Sequence, residues 1–152
     1  LPAFSYGTGS PLQGPQVERG GYVLREAIGT APEALIVATG SEVHIALDAA
    51  TRLEEEGIPT RVVSMPCIEL FLEQPSSWRD QVLPPAIRAR VAVEAGASMG
   101  WHRFVGDVGE VVALDRFGVS APGAQAAAAL GITADALVTA MHRSLASMHG
   151  AG

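Results

Sequence analysis

The chain has 152 residues, 48% hydrophobic and 17% charged, a length and balance that suit one globular domain with a buried core and not a disordered chain. Sixteen acidic against ten basic residues give a net charge of −6, which argues against a nucleic-acid or anionic-membrane surface. Every basic residue is arginine, which excludes Schiff-base, pyridoxal-phosphate and P-loop lysines, and the single Cys67 excludes an internal disulfide, a CxxC pair and a structural zinc cluster.

Residues 1–20 are crowded with Gly, Pro, Ser and Gln, lack periodicity, and read as a linker or arm. Leu1 to Ser10 has no charged start followed by an apolar stretch, so no signal peptide is expected. No apolar run approaches the roughly 18–20 residues of a membrane span. A cytoplasmic location is the default expectation.

Gly21 to Ala27 predicts a short strand, and Glu33 to Thr39 a second, apolar and branched as in a strand buried on both faces. Thr39 and Glu42 have the Thr-x-x-Glu spacing of a capping box. Val43, Ala46, Leu47, Ala50 and Leu53 then form one apolar helical stripe, with Gly57 as the left-handed stop and Ile58 as its apolar contact. Thr60 to Met65 is the next strand, stopped by Pro66, and strand–helix–strand over this distance predicts a parallel crossover. Ile68 to Gln81 is irregular to helical and ends at Pro84-Pro85. Ala89 to Ala95 predicts a further strand, Gly96 to Phe104 a short helix holding Trp101, and Glu110 to Leu114 the last strand. Two helices close the chain, Pro122 to Leu130 and Ala134 to about Met148, the second behind Thr133 as N-cap. The sum is a three-layer α/β/α domain of about five, mostly parallel strands.

Few residues point to chemistry. Thr39-Gly40-Ser41 lies where a parallel strand hands over to a helix, so its free amides either bind a small anion or nucleotide phosphate or are used up in capping the helix. Glu94 closes a buried strand at its carboxyl end and is either poised for contact or held by the turn that follows. Gly96, Met99, Trp101 and Phe104 continue that segment as glycine and large apolar groups, which suits a domain or subunit interface. His44, His102, His142 and His149 lack metal-ligand spacing and read as surface or rim histidines. Cys67 has no base near it in sequence and reads as a buried or passive thiol. Gly106-Asp107-Val108-Gly109 reads as a turn. No catalytic, cofactor-binding or metal-binding residue is assigned.

Six stretches in order resemble the C-terminal domain of the transketolase family. They are Arg19-Gly20-Gly21-Tyr22-Val23-Leu24, Leu35 through Thr39-Gly40-Ser41-Glu42-Val43, Arg61-Val62-Val63-Ser64-Met65-Pro66, Trp78-Arg79 to Val82-Leu83-Pro84, Val91-Ala92-Val93-Glu94-Ala95-Gly96, and Asp115-Arg116-Phe117-Gly118 with Ala121-Pro122. Gly131-Ile132-Thr133 also fits, and Leu1-Pro2 looks like the close of a family run whose arginine reads the substrate phosphate.

The resemblance implies that the first strand is antiparallel, that residues 1–20 are an arm from a preceding domain, and that residues 21–150 are the C-terminal domain. It also implies a parent enzyme that moves a two-carbon ketol unit from a ketose phosphate to an aldose phosphate in the pentose phosphate pathway. Thiamine diphosphate and Mg2+ would be held by the preceding domains of a homodimer, the cofactor supplying the carbanion chemistry. The C-terminal domain would pack on those domains and on the second subunit, and by itself would be inactive.

Overall fold

In the computed structural model, residues 17–39, 42–94, 102–113 and 133–150 are described. The strands are β1 (Tyr22–Arg25), β2 (Ala34–Ala38), β3 (Thr60–Ser64), β4 (Ala89–Glu94) and β5 (Glu110–Ala113). The helices are α1 (Val43–Glu55), α2 (Ile68–Leu72), α3 (Ser76–Val82), α4 (His102–Val105) and α5 (Ala134–Gly150). A short 3-10 turn, Val17–Arg19, leads into β1. The expected helix over Pro122 to Leu130 and the end of the expected strand at Leu114 lie outside the described residues.

The five strands form one sheet in the order β1-β3-β2-β4-β5. β2 lies at its centre, parallel to β3 on one side and β4 on the other, and β5 extends the parallel part beyond β4. All five residues of β2 and all five of β3 are buried, which explains the unbroken apolar run of β2; in β3 only the central Val62 and Val63 are apolar. β1 runs antiparallel to β3 at the edge, with a register shift between Val23 and Arg25. A bulge of this kind bends the strand and limits further pairing along the edge.

Two helix layers sandwich the sheet. α1 and α5 pack together and cover β2 to β5 on one side. On the other, α2, α3 and α4 gather around Phe71 and Phe104, whose rings meet edge-on at 6.0 Å.

The end of α1 follows the expected chemistry. Gly57 has φ +83°, its N–H donates to Glu54 O at 3.0 Å, and that of Ile58 donates to Leu53 O at 2.9 Å. These two bonds make a Schellman stop, and the positive φ is why glycine stands there.

The start of α1 differs from the expected capping box. Glu42, not Thr39, occupies the cap position, in helical conformation and without a side-chain capping bond. Its backbone N–H donates to Thr39 O at 3.2 Å, so a main-chain turn makes the entry that side chains were expected to make. At α5 the expected cap is present: Thr133 Oγ1 accepts from Ala136 N at 3.1 Å.

The chain enters the domain through a tight seat. Gly20 has φ +80°, and a Cβ there would collide with the backbone of Cys67 and Phe71. Trp78 Nε1 donates to Gly21 O at 3.1 Å, and the Arg19 guanidinium lies 4.4 Å from the Trp78 ring centre.

Candidate functional site

Of the residues singled out from the sequence, Thr39 and Glu94 lie at the carboxyl edge of the sheet. β2 and β4 are in register with Ala38 opposite Val93, so Thr39 and Glu94 end neighbouring strands side by side. Thr39 is half-buried. Gly40 and Ser41 lie outside the described residues, as do Gly96, Met99 and Trp101. Glu94 is placed as the last residue of β4, opposite Ala113 of β5. Phe104 is 4% exposed and packs on Phe71, so its ring belongs to the chain's own core and not to a surface patch.

The other candidates stand as follows. His44 is exposed, and His142 is an exposed residue with Nε2 2.7 Å from Glu56 Oε1, a link between α5 and α1. Among the described residues no three His, Cys, Asp or Glu side chains converge to hold a metal ion. Cys67 is half-buried, not fully buried, with Sγ 3.4 Å from Glu69 Oε2. The 106–109 turn is confirmed: Gly106 has φ +74°, and Asp107 pairs with Arg88 at 2.7 Å. That guanidinium holds the Asp107 carboxyl below its ordinary range.

The most constrained polar groups lie elsewhere, at the amino half of the sheet. Arg61 on β3 is 8% exposed. It grips Glu26 by two parallel bonds, Nε to Oε1 at 2.9 Å and Nη2 to Oε2 at 2.7 Å. Arg90 on β4 donates only to carbonyls: Ile87 at 2.7 Å, Phe104 at 2.8 Å, Pro84 at 2.8 Å and Leu83 at 3.3 Å. Burial lowers the Arg90 pKa. The sequence carried a signal for this pair that periodicity alone does not pick up: one arginine second in each of two apolar strands, Thr60-Arg61-Val62 and Ala89-Arg90-Val91.

No catalytic constellation is assembled by these groups; the arginines and their carbonyls form a structural network. The family model described as "Transketolase-like TK C-terminal domain" matches residues 20–133. A transketolase of Geobacillus stearothermophilus is 52% identical over 122 residues, covering 80% of this chain and 18% of that protein. The solved transketolase of Leishmania mexicana superposes with TM-score 0.73 at 39% identity, over 84% of this chain and 18% of that one. A structure described as "Split gene transketolase, inactive beta4 tetramer" superposes with TM-score 0.62 at 29% identity, over 85% of this chain and 43% of that one. The chain thus spans less than half the length of each of these three relatives. With its mixed five-stranded sheet, antiparallel edge strand and matched sequence in agreement, this chain belongs to the transketolase C-terminal domain family.

Proposed function

We propose that this chain is the C-terminal structural and assembly domain of a transketolase acting in the cytoplasm, and that the parent enzyme transfers a two-carbon ketol unit between sugar phosphates. The observation that carries the reading is the proportion matched: four-fifths of this chain aligns with less than one-fifth of a whole transketolase. Thiamine diphosphate and Mg2+ are assigned to the remaining domains and to a homodimer. Among the described residues no three His, Cys, Asp or Glu side chains converge to hold a metal ion, and no step of the chemistry is routed through this chain. The carboxyl edge around Thr39 and Glu94 is proposed as the face that meets the rest of the enzyme, because loops at that edge of a parallel sheet are where such folds make their contacts. A split-gene relative described as inactive accords with a part that needs its complement.

The test is a chimera in which this chain replaces the corresponding segment of a transketolase relative. An assembled dimer with ketol transfer near that of the parent is expected. A chimera that folds yet neither dimerises nor transfers would overturn the assignment. The chain alone should show no ketol transfer and no calorimetric heat with thiamine diphosphate plus Mg2+, and micromolar binding would reverse the division of roles.

A further inference from the structure

We infer that the cleft bounded by α2, α3, α4 and the amino half of β4 binds a small phosphate-bearing anion through Arg79, Arg90 and Arg103. The cleft has a volume of about 300 Å3, with Asp80, Phe71 and Leu72 also in its wall. Three positive groups therefore face one carboxylate, in a protein whose net charge is −6. A convergence of like charge in an acidic protein needs a local reason.

Among the described residues, five arginines form no ion pair: Arg19 stacks on Trp78, Arg25 donates to Thr51, and Arg79, Arg90 and Arg103 share this cleft. Arg52, Arg61, Arg88 and Arg143 each hold a carboxylate: Asp135, Glu26, Asp107 and Glu110. Among the described residues, none of the three arginines in this cleft has an ion-pair partner. Arg90 uses four of its five N–H groups on backbone carbonyls, which fixes the guanidinium and leaves one Nη1 hydrogen. Arg79 donates Nε to Gln74 O at 3.1 Å, which anchors the stem and leaves both terminal nitrogens for a ligand. Arg103 is exposed on α4 at the rim.

Burial of the Arg90 charge without a counter-charge is costly, and an anion in the cleft offsets that cost. Planar guanidinium forks match the oxygens of a phosphate group better than a single carboxylate satisfies three of them. The larger cleft near Ile87, Leu145 and Met148, about 640 Å3, lacks this property because its arginines, Arg61 and Arg88, are already paired.

The experiment follows the arginine Nε–H signals of the 152-residue chain by nitrogen-edited NMR during titration with inorganic phosphate and then pyrophosphate. Saturable shifts at Arg79, Arg90 and Arg103, with pyrophosphate the tighter ligand, are expected. Arg103→Gln, at an exposed site, should weaken binding by about tenfold without moving the apo melting temperature, whereas Arg52→Gln should bind as the parent does. Absence of saturation, equal weakening by Arg52→Gln, or malonate binding as tightly as pyrophosphate would each overturn the proposal.

Discussion

Arg61 of β3 and Arg90 of β4 stand in one row of the sheet, each opposite Leu35 of β2, and together they take the last two carbonyls of α3 and those of the two residues that follow it. Arg61 Nη1 donates to Gln81 O at 2.7 Å and Val82 O at 3.1 Å; Arg90 Nη2 donates to Leu83 O at 3.3 Å and Pro84 O at 2.8 Å. A helix leaves its last carbonyls without intrahelical partners and carries partial negative charge there, so two guanidiniums supply both the donors and the charge it needs. The loop into Pro84-Pro85 needs this, because neither proline can donate an amide.

Arg61→Ala should destabilise the domain by about 2–4 kcal/mol in urea unfolding, since it strands two carbonyls and Glu26 together. Glu26→Gln should cost only about 1 kcal/mol or less, because the Glu26 side chain is 42% exposed and water takes over its role. Equal losses for the two would show that the ion pair, and not the carbonyl capping, is what Arg61 supplies.

Two glycines with the same backbone sign should respond very differently to alanine. At Gly57 no atom lies within 4 Å of a new Cβ, so only the left-handed φ is penalised, about 1 kcal/mol. At Gly20 the new carbon meets backbone of Cys67 and Phe71, and a loss of about 3 kcal/mol or more is expected. Thermal melts of the two variants decide it.

Trp78→Phe should cost about 1–3 kcal/mol, because the buried Gly21 carbonyl loses its Nε1 donor at 3.1 Å. Amide exchange should speed up first in β1, the strand that this bond ties to α3. Unchanged protection there would mean that another group holds the entry segment.

Asp107 should titrate below its ordinary 3.8, chiefly because Arg88 hydrogen-bonds to its charged form. A folded-state value beneath the unfolded one means that the contribution is present above pH 3.8 and fades as pH falls through the lower folded value. Arg88→Gln should return the carboxyl carbon titration to the ordinary range, and a midpoint unmoved by that change would place the cause elsewhere.

Much of the fold was legible because it rests on local pattern. The apolar run over 34–38 marked a strand buried on both faces, and Thr60 to Met65, stopped by Pro66, marked the next one. The stripe from Val43 to Leu53, ended by Gly57, marked α1 and its stop. The antiparallel direction of β1 came only with the family resemblance, since a strand of four residues carries no sign of direction.

The polar network was a different matter. Nothing local says that Arg61 and Arg90, 29 positions apart, face the same helix end, or that Glu26 waits beside one of them. Sequence by itself determined the strands, the main helices, the class of fold and the family, because each follows from residue spacing or from ordered motifs. Only the tertiary structure decided which carbonyls the two arginines serve, that Phe104 belongs to the core, and that Arg79, Arg90 and Arg103 share one cleft. Those facts depend on strand order and helix docking, which bring distant residues within the few ångströms over which hydrogen bonds and charges act.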